Sequence, residues 1–243
     1  MNYRSITITA VILFLFAIAG TGLVAVTYDT TRERIAANER ERLLRKLHVL
    51  VPPARHDNDL LTDTLKVHDQ LLLGTPEPVM VYRARRDDQP VALVIAPVAP
   101  DGYSGSIRLL IGINYDGSLT GVRVVTHRET PGLGDAIEEE RSDWIYGFDG
   151  KSLENPPAAR WEVRKDGGDF DQLTGATITP RAIVGAVSKS LLYYREHREA
   201  LFSRGGDDEK GLSPQSRKDN HNSIHRGDAE NAEQDFHSKD PDN

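Results

Sequence analysis

Two short segments concentrate the residue types that do chemistry. The first is Asp171-Gln172-Leu173-Thr174-Gly175-Ala176-Thr177-Ile178-Thr179-Pro180, where hydroxyls and small residues run straight into a helical apolar pattern. A helix N-terminus carries unsatisfied N–H groups and a partial positive charge, which together suit a phosphate. Gly175 and Ala176 leave Thr177 a hydroxyl that another enzyme can reach. A hydroxyl-rich helix cap that binds nothing fits the same spacing. The second segment is His127-Arg128-Glu129-Thr130-Pro131-Gly132-Leu133-Gly134-Asp135. Its proline and glycines bring backbone close to a neighbour, because glycine removes the side chain that would block approach. A tight strand-to-helix turn explains those residues equally well, and His127 alone reads as a structural histidine at a strand end.

Composition removes many other chemistries. Lys and Arg number 30 against 37 Asp and Glu in 243 residues, a formal net charge of −7. That balance argues against a nucleic-acid binder, which carries a basic face or stripe. Cysteine is absent, which excludes disulfides, thiolate zinc sites, Cys-ligated iron–sulfur clusters and a thiol nucleophile. Electron chemistry would therefore need an organic cofactor or a His/carboxylate metal site. No serine sits in a nucleophile-elbow setting, and no carboxylate pair or metal-ligand spacing stands out, so hydrolysis and a metal centre are not expected.

The elements that must position these segments read as follows. Strands over 107–114 and 119–127 flank Tyr115-Asp116-Gly117-Ser118, and Asp-Gly supplies the positive φ angles of a tight hairpin. Strands are also predicted over 79–83 and 91–98 with a turn at 87–90, and over 161–165 ahead of Gly167-Gly168. Thr179 as N-cap and Pro180 at the first helical position open the last helix. Ile183, Val187, Leu191 and Tyr194 give it one apolar stripe. The fold class is α+β: a mostly antiparallel sheet with flanking helices, not an alternating βα pattern.

Residues 6–26 form an uncharged run, about 30 Å as a helix, the thickness of a bilayer's hydrocarbon core. Ala17-Ile18-Ala19 resembles a signal-peptide cleavage site, yet the apolar run continues to Val26, so a permanent anchor is expected. Arg4 precedes the run and Arg32, Arg34, Arg40 and Arg42 follow it, a positive-inside count that points the domain to the cytoplasm. Thr30 and Glu33 have capping-box spacing, and Ile35, Leu43, Leu44 and Leu47 continue a helix until Pro52-Pro53 stops it. Beyond Arg204 only Leu212, Ile224 and Phe236 punctuate a polar stretch, too little to offset ordering entropy. His221, His225 and His237 there read as solvated tail residues. The expected division is an anchor over 1–28, a helical membrane-proximal segment over 29–78, the folded domain over 79–203 and a disordered acidic tail over 204–243.

The two segments together resemble the hallmarks of one family. Thr174-Gly175-Ala176-Thr177-Ile178-Thr179, with Asp171 upstream and Ala182 and Val184 beyond, is similar to the flavinylation motif of the FMN-binding domain family. That family includes the G subunit of the Rnf electron-transport complex and the C subunit of the sodium-translocating NADH:quinone oxidoreductase. Glu129-Thr130-Pro131-Gly132-Leu133-Gly134 resembles its second hallmark loop, and Gly102-Tyr103-Ser104-Gly105 its Gly-Tyr-x-Gly turn. The likeness covers residues 6–201. Thr174 and Pro180 stand where the family often has serine.

The resemblance implies FMN joined by a phosphodiester to Thr177. Thr174, Gly175, Ala176 and Thr179 would surround the attachment, with Glu129, Thr130, Pro131, Gly132, Leu133 and Gly134 on the second loop and Trp144, Tyr146 and Phe148 walling the ring. It implies an electron carrier, the G subunit of an Rnf-type ion-translocating complex, that works among other subunits without turnover of its own. It also implies a Mg-dependent flavin transferase acting on the periplasmic side, hence a single-pass inner-membrane protein with a periplasmic domain, against the positive-inside count. The quinone-oxidoreductase C subunit is the alternative within the family. An anchored FMN-binding or sensor domain without a redox role is the alternative outside electron transfer.

Overall fold

A computed structural model of the chain describes residues 3–203; the expected disorder of 204–243 and its three histidines lies outside the described residues. The chain divides into two compact units, one up to Lys46 and one from Leu47 onward.

The first unit belongs to helix α1 (Tyr3–Leu50). Ile12, Phe14, Leu15 and Leu23 are all exposed. A helix apolar on every face and covered by no protein is suited to hydrocarbon, and this one is long enough to cross a membrane. The capping box expected at Thr30 is not formed, because the helix runs through that point unbroken. Thr30 Oγ1 instead donates to the Val26 carbonyl at 2.8 Å, the back-bond by which a threonine satisfies itself inside a continuing helix. The Glu33 side chain lies outside what is described.

The second unit is built on one antiparallel sheet: β1 (Thr64–Val67), β2 (Val79–Arg86), β3 (Gln89–Ile95), β4 (Val98–Ala99), β5 (Ile107–Asn114) and β6 (Leu119–Thr126). The order is β1-β2-β3-β5, with β4 and β6 also paired to β5. Residues 29–78 thus contain, beyond the helix, a strand and the short helix α2 (Gln70–Leu73). The β2–β3 turn is tighter than predicted, made by Asp87 and Asp88 with φ of 50° and 63°, so Gln89 and Pro90 belong to the strand. The run predicted as one strand over 91–98 is two, because Pro97 interrupts it and β4 pairs with a different stretch of β5.

Helix α3 (Ile178–Phe202) packs on one face of the sheet. Its predicted stripe of Ile183, Val187, Leu191 and Tyr194 joins Leu109, Ile111 and Ile113 of β5 in the main core. The alternate residues of β5 serve the opposite face. There Leu50 lies over Gly112 and Gly121, so close that a Cβ on Gly112 would sit 3.1 Å from Leu50 Cβ. The far end of α3 is fixed by two buried arginines of β2. Arg83 and Arg85 donate to the Ser203 and Phe202 carbonyls, both at 2.8 Å. The same pair grips Asp63, at 2.6 and 2.9 Å.

The strand predicted over 161–165 is absent. Trp161 and Val163 are buried in alternation as a strand would require, but 3-10 turns flank them and only a single bridge, Val163 to Phe170, forms. The backbone at Gly168 passes so close to Glu162 that a Cβ would lie 1.8 Å from its carbonyl oxygen, and the chain folds back before a ladder can grow.

Candidate functional site

Glu129 leaves the β5–β6 hairpin and turns inward, where it is 4% exposed. Its Oε1 accepts a hydrogen bond from the Ser104 amide at 3.0 Å, and its Oε2 accepts one from the Thr179 hydroxyl. One carboxylate therefore ties the 102–105 turn, the 129–134 loop and the first turn of α3. Two glycines make the slot it occupies. A Cβ on Gly102 would sit 3.0 Å from Glu129 Oε1, and one on Gly134 would sit 2.9 Å from Glu129 Cβ and 3.3 Å from Thr179 Oγ1. The Glu129 amide donates to His127 Nδ1 at 3.0 Å. His127 Nε2 must then carry the ring proton, and it donates to Glu138 Oε1 at 2.7 Å.

From Glu129 the loop closes on itself. The Thr130 carbonyl accepts from the amides of Leu133 and Gly134 at 3.2 and 3.0 Å. Pro131, Gly132 and Leu133 face outward. Gly132 holds φ +79°, which glycine adopts without a steric cost.

Leu133 meets the other loop. A Cβ on Gly175 would lie 3.2 Å from Leu133 Cδ2, and Gly175 itself has φ +80°. Here Leu173 and Ala176 close a tight turn, the Ala176 amide donating to the Leu173 carbonyl at 3.1 Å. Thr174 and Gly175 lie at its exposed tip, and Ala176 and Thr177 are half-buried at its exit. The structure thus brings together the residues predicted from both segments.

The start of α3 differs from the prediction. Thr177, not Thr179, occupies the N-cap position, and its side chain makes no capping bond. Thr179 is fully buried in the first turn with its hydroxyl directed to Glu129. Pro180 is accommodated within that same first turn, where its missing N–H leaves no bond unmade. Arg181 pairs with Asp166 through Nε and Nη2 at 2.6 and 2.9 Å. Those hydrogen bonds hold the Asp166 carboxyl below its ordinary range.

The aromatics expected to wall the ring each have partners of their own. Phe148 is buried in a stack with Trp161 and Phe170. Tyr146 lies under the Arg123 guanidinium, 4.8 Å from ring centroid to Cζ. Trp144 donates from Nε1 to the Asp171 carbonyl at 2.7 Å and so braces the entry to the loop. The Ser104 amide and the His127–Glu138 link carry no signal in the sequence, because a backbone donor is independent of residue type and the histidine is unremarkable in isolation.

Removing the shared carboxylate tests this arrangement. Glu129→Ala leaves the Thr179 hydroxyl buried without its acceptor, and a loss of about 3 kcal/mol is expected for a hydrogen-bonded buried charge and its orphaned partners. Chemical denaturation of the soluble domain measures it, and an unchanged midpoint would refute the clamp.

Comparison with known proteins places both segments within one family match. Residues 102–192 match the FMN-binding domain family, and residues 1–50 match the RnfG N-terminal region. The chain is 48% identical over 204 residues to the G subunit of the ion-translocating oxidoreductase complex of Pseudoalteromonas atlantica, covering 84% of this chain and 95% of that protein. It is 50% identical over 200 residues to the protein of the same name from Pseudomonas aeruginosa, covering 82% and 94%. The Shewanella amazonensis counterpart is 47% identical over 201 residues, covering 83% and 94%. With an FMN-binding domain behind an N-terminal apolar helix, and likeness of this extent, the chain belongs to the family of G subunits of ion-translocating oxidoreductase complexes.

Proposed function

We propose that this chain is the membrane-anchored electron carrier of an Rnf-type complex, with FMN joined through its phosphate to Thr177. The observation that carries the assignment is the division of labour among three threonines. Thr179 spends its hydroxyl on Glu129. Thr174 sits at the exposed tip of the turn. Thr177 stands at the mouth of α3 with its hydroxyl uncommitted to the helix, beside first-turn N–H groups and the positive end of the helix dipole.

In the proposed maturation, Thr177 Oγ bonds to the flavin-side phosphorus of FAD, the pyrophosphate P–O bond breaks, AMP leaves, and the hydroxyl proton passes to a base of a Mg-dependent flavin transferase. Bound FMN accepts two electrons and releases them singly, which suits a relay between unlike carriers. The chain's own contribution is to hold the phosphate at the helix mouth and to lock the two loops around it through Glu129. Family membership supports the presence of partner subunits. The apolar α1 supports anchoring, for which we propose the inner membrane with the domain in the periplasm, where the flavin transferase acts.

Two outcomes test the proposal. Coexpression with a flavin transferase should give a tryptic peptide over 166–181 bearing one FMN moiety, and its absence overturns the covalent reading. The protein should stay in the membrane fraction through a carbonate wash. A mature N-terminus beginning after Ala19 would remove the anchor.

A further inference from the structure

Two histidines that the flavin reading does not use come together at the end of α1. His48 lies in its last turn, and His56 follows eight residues later, beyond Pro52-Pro53 and the 3-10 turn Pro53–Arg55. Both belong to the second compact unit, and both are half-buried. Their ring centroids are 5.8 Å apart, with the planes tilted by 35°. His56 is held in one tautomer. Its Nδ1 lies 2.8 Å from the Asn58 carbonyl oxygen, and a carbonyl only accepts, so Nδ1 carries the proton and Nε2 of the neutral ring presents a lone pair. That Nε2 is buried and has no hydrogen-bond partner, whereas buried polar atoms nearly always have one. His48 does not supply it directly, because a hydrogen bond between imidazole nitrogens at about 3 Å brings the ring centroids to about 5.3 Å at most. A contact of ring on ring leaves the lone pair bare as well. The charged neighbours in sequence are engaged elsewhere. Arg55 Nη2 donates to Asn114 Oδ1 at 2.7 Å, and Asp57 Oδ2 accepts from the Asp87 amide at 2.8 Å.

A metal ion between the rings meets each of these conditions. Imidazole nitrogens bind zinc at about 2.0–2.1 Å, which sets two rings on one ion about 5–6 Å apart by centroid, according to the angle at the ion. A histidine ligand characteristically donates its other ring N–H to a carbonyl or carboxylate, which fixes the ring and raises its basicity. His56 does so with Asn58. We propose that His48 and His56 together bind one divalent transition-metal ion of the kind that favours imidazole: zinc, nickel or copper(II). No third His, Cys, Asp or Glu gathers with them among the described residues, so water completes the coordination and the ion exchanges with solution. Bound there, it clips the last turn of α1 to the 53–58 segment and stabilises the folded state by mass action.

The test titrates the full-length protein, made without a flavin transferase and stripped of metal by a chelator, with zinc chloride and with copper(II) sulfate. The melting temperature of the wild type should rise with metal concentration, and pulsed EPR of the copper form should show coupling to two imidazoles. The His48 side chain makes no hydrogen bond among the described residues, so His48→Ala spares the fold. It should weaken binding by about tenfold or more, since even an outer-shell partner of a ligand is worth about that much, and it should leave one imidazole in the spectrum. His56→Ala should do the same. The chain also carries His221, His225 and His237, and a variant with all three changed to Ala should keep the affinity and the two-imidazole spectrum. Binding that disappears with those three, or that survives unchanged in both His48→Ala and His56→Ala, overturns the site. So does a wild type whose melting temperature and EPR spectrum show no bound metal, which leaves the His56 lone pair to a water molecule.

Discussion

Thr177→Ala should abolish covalent flavin completely, while the protein still folds. The side chain makes no bond to the helix it precedes, so its removal costs the fold little, and no neighbouring hydroxyl can substitute. Thr179 is fully buried and engaged with Glu129. Thr174 lies across the Gly175 turn, at the exposed tip. Thr177→Ser retains a hydroxyl in the same place and should retain the adduct. Thr179→Ala should also keep it, at a stability cost of about 2 kcal/mol for a hydrogen bond to a buried charge. In-gel flavin fluorescence after denaturation, followed by peptide mass spectrometry, reads all three. Covalent fluorescence surviving in Thr177→Ala, or an adduct mapped to Thr174 or Thr179, would falsify the assignment.

A stability effect as large as that of Glu129→Ala should come from a residue remote from the flavin loop. Asp63→Ala strips the shared counter-ion from Arg83 and Arg85, which are 8% and 6% exposed. Removing one partner from a buried ion pair costs about 3–5 kcal/mol, because the remaining charge is left uncompensated. Asp63 is itself partly open to solvent, with 21% of its side chain exposed, which puts the expected loss at the lower end, about 3 kcal/mol. For a domain of this size that corresponds to a melting temperature lower by about 10 °C. Calorimetry of the domain gives the value, and a shift below about 2 °C would mean that water or the Phe202 and Ser203 carbonyls compensate the arginines.

Where a signal is local, the sequence carried it. Asp116-Gly117 marks the hairpin, and Gly117 holds φ +92° as that turn requires. The apolar period of Ile183, Val187 and Leu191 marks α3, and each of them is buried. The two hallmark loops were legible as loops, and so were the residues in them. What could not be read was how they meet. Glu129 and Thr179 are fifty residues apart, and nothing near Thr179 distinguishes a hydroxyl that caps its own helix from one that crosses to another loop. The helix start moved by two residues for that reason. Leu47 read as part of a helix stripe with no stated partner, and Leu50 carried no signal, since the glycines that receive it lie far along the chain in β5 and β6. Trp161 and Val163 had the alternation of a strand, but a single bridge from Val163 to Phe170 is all the pairing the fold gives them.

Because α3 is tied at both ends, by Glu129 and Asp166 at one and by Arg83 and Arg85 at the other, it can serve as a molecular ruler. Its 25 residues set the ends about 37 Å apart. The chain contains no cysteine, so Ser203→Cys introduces a single thiol, and a maleimide dye placed there is the only label the protein accepts at that chemistry. Flavin at Thr177 and dye at position 203 would then report on one another by resonance energy transfer across a fixed span. A change in that signal on adding partner subunits would arise from the environment of the flavin and not from flexing of the helix between them.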